Sequence, residues 1–248
     1  MRVLILGGTS EGRALATALH DDGRWVVVSS LAGRVADPVL PPGEVRIGGF
    51  GGVDGLAGYL RAELVDVLVD ATHPFAVTMS EHAALAAKAA GVPLVGLRRQ
   101  PWGSRPGDRW THVPDVAAAA RKVACRPAGR VFLTTGRGDL AAFAPDDRHD
   151  YLIRTVDPPD GPLPPRHVLL HDRGPYTVAG ETALMRANEV TVLVTRNSGG
   201  ELTSAKLTAA RLLAVEVVMI DPPAPPAGVA TVGTVAEAVT LLERWART

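Results

Sequence analysis

The sequence predicts an α/β chain folded as two domains, each a doubly wound, mainly parallel sheet covered by helices, with the cleft between them as the expected ligand site. Two observations lead there. Short apolar runs alternate with amphipathic segments along the whole chain. A strand, glycine turn and helix pattern also occurs twice, at "LILGGTSEGR" and at "LTTGRGDL". Runs of Val, Leu and Ile without polar alternation belong to strands buried on both faces, as in parallel sheets.

In the first half, strands are expected at Val3–Leu6, Trp25–Ser29, Glu44–Ile47, Val67–Asp70 and Leu94–Leu97. Helical patterns lie near Ser10–His20, Val53–Glu63 and Thr78–Ala90. The run "AALAAKAA" offers small side chains that let a helix lie close to a sheet. Thr78 and Glu81 have the spacing of a capping box.

Residues 99–112 are polar and broken by Pro and Gly, and read as a linker between a first domain, 1–98, and a second, 113–248. The second series has strands near Val131–Thr134, Tyr151–Arg154, Val168–His171, Thr191–Thr195, Glu216–Ile220 and Ala230–Val232. Its helices lie near Val116–Ala124, Thr177–Asn188, Ser204–Leu213 and Val235–Arg247. Pro-rich stretches at 157–165 and 221–228 read as surface connections. Residues 112–123 echo residues 231–242: each reads as a short strand, a cap residue and an amphipathic helix.

Composition narrows the function. Hydrophobic residues make up 46% of the 248, enough for a substantial core, and 26 basic residues balance 26 acidic ones. That balance gives no support to nucleic-acid binding or strong attraction to a membrane. Cys125 is the only cysteine, which excludes an intrachain disulfide and a cysteine metal cluster. It is expected as a small buried or half-buried side chain. The histidines have no metal-ligand spacing, and no metal is expected. The apolar N-terminal run is too short for a signal-peptide core, and no apolar run reaches roughly 18 residues. A soluble cytoplasmic protein is expected.

The turn at residues 7–13 combines glycines, which let the backbone approach a phosphate, with a helix start whose N–H groups attract anions. Gly7, Gly8 and Gly12 miss the G-x-G-x-x-G spacing. Thr9 and Ser10 can cap the helix or donate to a pyrophosphate. Glu11 is favoured by the helix dipole and competes there with phosphate, a charge that Arg13 can offset. The second strand ends in Ser29 and Ser30, with Arg34 beyond, and has no carboxylate for a ribose 2′-hydroxyl. That favours NADPH over NADH. "VDATHPFA" (69–76) follows the fourth strand at the same sheet edge. Thr72, His73 and Pro74 are cofactor candidates there, and His73 is the candidate proton donor.

In the second half, the turn of Thr135, Gly136 and Arg137 repeats this logic, with a guanidinium suited to a carboxylate or phosphate. Tyr176 in "RGPYT" can stack or donate. Arg196, Asn197, Ser198, Gly199 and Gly200 follow a strand, and Lys206 stands near the next helix start. Two cations, a hydroxyl, an amide and glycine N–H groups suit a substrate bearing several carboxylates. No Ser-His-Asp, Cys-His or H-E-x-x-H arrangement stands out.

In order and spacing, "LILGGTSEGR", "DATHPFA", "TTGR", "GPY", the "NSGG" loop and Lys206 resemble the precorrin-6A reductase family of cobalamin biosynthesis. The resemblance runs to about residue 206 and so covers most of the chain. It implies two Rossmann-like domains, NADPH as cofactor, and hydride delivery to C19 of precorrin-6A, or of its cobalt form, to give precorrin-6B. The substrate's acetate and propionate arms match the basic turns. "RNSGG" departs from the expected "KNSGG" and keeps the charge. The cofactor is then expected on Gly8, Thr9, Ser10, Glu11, Gly12, Arg13, Ser30, Arg34, Thr72, His73 and Pro74. The substrate is expected on Thr135, Gly136, Arg137, Tyr176, Arg196, Asn197, Ser198, Gly199, Gly200 and Lys206. Transient contact with other cobalamin-pathway enzymes fits this reading. Two rivals stay open on the residues alone: a nucleotide-sugar group transferase and a non-catalytic dinucleotide-sensing module.

Overall fold

The computed structural model describes residues 1–33, 39–201 and 203–247, so Arg34, a cofactor candidate, lies outside the described residues. The chain forms two units, Met1–Gln100 with Pro223–Thr248, and Pro101–Pro222. The first unit starts with β1 (Arg2–Leu6), α1 (Ser10–Asp22), β2 (Val26–Leu31), β3 (Glu44–Ile47), α2 (Val53–Ala62), β4 (Val67–Asp70), α3 (Val77–Ala90) and β5 (Leu94–Leu97). The second unit follows as β6 (Trp110–Val113), α4 (Val116–Ala124), β7 (Arg130–Leu133), a 3-10 helix (Arg137–Phe143), β8 (Asp150–Thr155) and β9 (His167–His171). It ends with α5 (Val178–Ala187), β10 (Val190–Arg196), α6 (Ala205–Leu212) and β11 (Glu216–Ile220). The chain then returns to the first unit for β12 (Ala230–Val232) and α7 (Val235–Trp245).

Both sheets are parallel and six-stranded, in the orders β12-β5-β4-β1-β2-β3 and β6-β11-β10-β7-β8-β9. Strand order reverses beside β1 in the first and beside β7 in the second. These are the switch points where ligands bind outside the C-terminal ends of the strands.

The unalternated strands are buried on both faces. Val3 and Ile5 of β1 pack with Leu15 and Leu19 of α1 and with Ala238 and Leu242 of α7. Leu4 and Leu6 pack with Leu56 and Leu60 of α2 and with Ala83 and Ala87 of α3. Each buried Val, Ile or Leu side chain contributes about 1.5–3 kcal/mol by leaving water. The small face of α3 is used as its sequence suggests, with Ser80, Ala83, Ala86 and Ala87 buried. The capping box expected at Thr78 and Glu81 does not form. α3 starts at Val77 with Ala76 at the cap and no side-chain cap bond, so Thr78 falls inside the first turn. A capping box is present on α7, between Thr234 and Glu237. Cys125, expected to be at least half buried, is exposed at the C-cap of α4.

The division of the chain differs from the expected one in two places. The stretch 99–112 is not all linker: β6 begins inside it, at Trp110, and pairs with β11. Residues 223–248 belong to the first unit, not the second. β12 pairs with β5, Ala230 against Val95 and Val232 against Leu97, and α7 buries Ala238 and Leu242 on the core shared with α1. A linear reading assigns neighbouring segments to one domain, whereas here the first unit takes its outermost strand–helix pair from beyond the whole of the second, which is continuous. β6–α4 and β12–α7 hold the same edge position in their two sheets. These are the segments that echo each other in sequence.

The second unit buries a polar cluster at the N-terminal end of β8. The Asp146 Oδ2 accepts from the Tyr151 hydroxyl at 2.7 Å and faces His149 Nδ1 at 2.7 Å. Burial pushes the Asp146 carboxyl up, but the Tyr151 hydroxyl, the Arg148 N–H and His149 outweigh it and hold the group below its ordinary value. A carboxyl lowered in the folded state stabilises above its unfolded value, and that contribution is lost as pH falls through the folded value. The stability advantage over Asp146→Asn is therefore expected to be full at neutral pH and to shrink below about pH 4. Urea unfolding of both proteins across that range measures it. An advantage that does not change with pH would contradict the ionised pairing.

Candidate functional sites at two sheet edges

In the first unit, the turns after β1, β2 and β4 share one edge. Gly8 has φ of 118°, a region barred to most L side chains, and a Cβ there would meet no atom within 4 Å. At Gly12 a Cβ would stand 3.2 Å from the Cβ of Ala71. Glycine thus lets α1 begin hard against the end of β4. The two glycines serve an open turn and close helix–strand packing, the roles of the dinucleotide fingerprint, at a different spacing. The Thr9 hydroxyl accepts the Gly12 N–H at 3.0 Å and donates to the Ala71 carbonyl at 2.8 Å. It caps α1 and ties the β1 and β4 turns together, so its side chain serves the frame. Gly7 N–H donates to the Ser30 carbonyl at 2.9 Å, which joins the β2 end to the same edge.

Ser10 Oγ donates to Glu11 at 3.0 Å, and Arg99 meets the Glu11 carboxylate at 3.1 Å, the part expected of Arg13. Arg13 is half buried in the first turn, with its N–H on the Thr9 carbonyl. The Ser30 hydroxyl is buried and accepts from Arg46 at 3.3 Å. Arg46 also donates to the carbonyls of Gly48 and Gly49, each at 2.6 Å, and lies 3.8 Å from the centre of the Phe50 ring. Thr72 donates its N–H and hydroxyl to the buried Asp70 carboxylate at 3.1 and 2.6 Å. His73 Nδ1 accepts the Phe75 N–H at 3.3 Å, which assigns the proton of a neutral ring to Nε2. Pro74 is buried behind it.

In the second unit the corresponding edge carries the turns after β7 and β10. The Thr134 hydroxyl donates to Val194 at 3.2 Å, Thr135 is buried, and Gly136 has φ of 90°. Arg196 donates to Asp139 at 2.6 Å. Burial pushes the Asp139 carboxyl up in spite of that guanidinium, the mark of a dry ion pair. Arg137 is more open, 4.0 Å from Asp160 on the Pro-rich loop. Asn197 and Ser198 are buried, Gly199 and Gly200 have φ of 66° and 81°, and Lys206 is buried with Nζ 3.0 Å from the Thr203 carbonyl. Tyr176 donates to the Asp172 carbonyl at 3.0 Å, and its ring covers the Arg154 guanidinium at 3.7 Å. Burial raises the Tyr176 hydroxyl above its ordinary range.

Several residues at these edges escape a reading by motif. Arg46 in "EVRI" and Arg154 in "YLIRT" are cations inside apolar strands. A charge there needs a partner, and that is a usable signal. Arg99, Trp102 and Asp139 carry no local signal, because what matters is a contact far along the chain. Among the described residues no His, Cys, Asp and Glu cluster could hold a metal ion, and no helix is long and apolar enough to cross a membrane.

Known proteins resemble the chain along nearly its whole length. The family model described as Precorrin-6x reductase CbiJ/CobK matches residues 2–243. A precorrin-6A reductase of Rhodococcus erythropolis is 55% identical over 239 residues, 96% of each chain. A cobalt-precorrin-6A reductase of Priestia megaterium is 29% identical over 235 residues, covering 89% of this chain and 90% of the other. A solved CobK precorrin-6A reductase superimposes with a TM-score of 0.91 at 46% identity, over 99% of this chain and 97% of that one. With two Rossmann-like halves, both switch-point edges and nearly its whole length matched, the chain belongs to the CbiJ/CobK family of precorrin-6x reductases.

Proposed function

We propose that this protein is an NADPH-dependent precorrin-6A reductase of cobalamin biosynthesis, with the cofactor on the first unit and the polycarboxylate macrocycle on the second. The observation that carries the cofactor assignment is the pairing of an open glycine turn with a guanidinium at the end of β2. Space above Gly8 is clear, and Ser30 and Arg46 stand together where an NAD-binding fold places a carboxylate. These residues fit a dinucleotide with a 2′-phosphate.

When bound, NADPH supplies the hydride that reduces C19 of precorrin-6A to give precorrin-6B. The chain's own work is binding and orientation. The turn Gly8–Arg13 takes the pyrophosphate, through its N–H groups other than those of Gly12 and Arg13, which Thr9 accepts. Arg46, Ser30 and Arg34 take the 2′-phosphate. The Nε2–H of His73, with Thr72 and Pro74 shaping the turn, donates to a phosphate or an amide. Arg137, Arg196, Ser198 and Lys206 take carboxylate arms of the macrocycle, beside Thr135, Gly136 and Tyr176. The greater similarity to a precorrin-6A reductase, 55% against 29% for a cobalt-precorrin-6A reductase, favours the cobalt-free substrate.

Anaerobic incubation with precorrin-6A or its cobalt form, each with NADPH or NADH, tests the reading. Oxidation of NADPH with a changed macrocycle spectrum is expected, faster with the cobalt-free substrate. No turnover of either macrocycle would overturn the activity, and a preference for NADH would overturn the cofactor.

A further inference from the structure

Trp102 lies in the stretch that reads as a linker, yet contacts from the loop after β10 converge on it. Its N–H donates to Asn197 Oδ1 at 2.7 Å, and its carbonyl accepts from Asn197 Nδ2 at 3.2 Å. The Asn197 amide thus pairs with the Trp102 backbone as a neighbouring strand would. The indole Nε1–H donates to the Gly200 carbonyl at 2.8 Å. The Lys206 ammonium stands 5.3 Å from the centre of the indole ring. The ring also packs on the core cluster that holds Leu207 and Met219.

These contacts change what the loop's residues are for. Gly199 and Gly200, both at positive φ, give the loop little stiffness of its own, so its shape must be held from outside. Lys206 is buried, and its charge is compensated in part by the face of the indole. Asn197, which suits a substrate donor by sequence, spends both ends of its amide on Trp102.

We propose that Trp102 is the positioning residue of this edge: it fixes the loop from Asn197 to Gly200, and Lys206 with it, in the arrangement that receives a substrate carboxylate. This rests on the reading that the loop binds the substrate. Trp102 itself acts through the loop and Lys206.

Two variants separate its contacts. Trp102→Phe keeps a ring face for Lys206 and removes the bond to Gly200. Asn197→Ala removes the clasp on the Trp102 backbone and keeps the indole. Each is expected to raise KM for precorrin-6A about three- to tenfold, the range for one lost hydrogen bond. Calorimetric NADPH affinity is expected to stay unchanged. Amide exchange in residues 197–206 is expected to quicken, with the peptides of residues 1–33 unaffected. In a Lys206→Ala background, Trp102→Phe is expected to add less than about twofold to KM, because groups acting as one unit are not additive.

Unaltered exchange in 197–206 for both variants would overturn the proposal, and so would fully multiplied effects in the double variant. An unchanged KM in Trp102→Phe, where Lys206→Ala does raise KM, would overturn it too. If Lys206→Ala leaves KM unchanged, the substrate reading of the loop fails instead, and the exchange measurement still decides whether Trp102 holds the loop.

Discussion

Replacing Glu181 with alanine is expected to destabilise the second unit by about 3–5 kcal/mol, the usual cost of breaking a buried ion pair from one side. Arg154 meets the Glu181 carboxylate as a fork, at 2.5 and 3.0 Å, and the two side chains are only 5% and 3% exposed. The guanidinium lies between aromatic faces, 3.7 Å from the Tyr176 ring centre and 5.0 Å from that of Phe132. Without the carboxylate it would be a buried charge that cannot shed its proton. Domains are stable by roughly 5–15 kcal/mol, so the loss is a large share. Urea unfolding of the wild type and Glu181→Ala measures it. The double variant Arg154→Met with Glu181→Leu separates cause from packing, because removing both charges is expected to recover most of the stability. A single-variant loss below about 1 kcal/mol would show that the pair is not compensating a desolvated charge. Tyr176 stacks on the Arg154 guanidinium, so the loop after β9 should loosen in Glu181→Ala and recover little in the apolar double variant.

The strands were legible because their burial is simple. A run such as "VLIL" packs on both faces, so it shows no polar alternation and its type follows from composition alone. The return of the chain to the first sheet was not legible, because Ala230–Val232 spans three residues and nothing in it names β5 as its neighbour. The echo between residues 112–123 and 231–242 was the available sign, since matching segments occupy matching edges. At the candidate sites, placement was legible and side-chain partners were not. The turns after β1, β4, β7 and β10 stand where parallel-sheet logic puts ligands. Thr9, however, gives its hydroxyl to Ala71, 62 residues away, and Asn197 gives its amide to Trp102, 95 residues away. Both read as ligand donors because a local pattern cannot encode a distant backbone carbonyl. Glu11 shows the same limit, as its charge is met by Arg99 from the far end of the first series of strands.

Replacing Arg46 with alanine is expected to weaken NADPH binding about 10- to 100-fold, the range for losing charge-assisted hydrogen bonds to a phosphate. NADH binding should fall far less. The guanidinium is oriented in advance by the Phe50 ring and by the carbonyls of Gly48 and Gly49, so little side-chain entropy is lost when an anion arrives. Ser30 beside it adds a hydroxyl, and the residues from Val26 to Gly33 contain no carboxylate to repel a phosphate. Arg46→Ala also frees the two glycine carbonyls, which disturbs the turn after β3 whichever cofactor is present. That disturbance affects NADPH and NADH alike, so the ratio of the two affinities isolates the phosphate contribution. Calorimetry with both cofactors, repeated with 2′-phospho-ADP-ribose and ADP-ribose, measures the ratio without turnover. Equal losses would remove Arg46 from the 2′-phosphate site. Arg46→Lys should fall between the wild type and alanine, because an ammonium keeps the charge and lacks the fork that reaches Ser30, the carbonyls and the phosphate together.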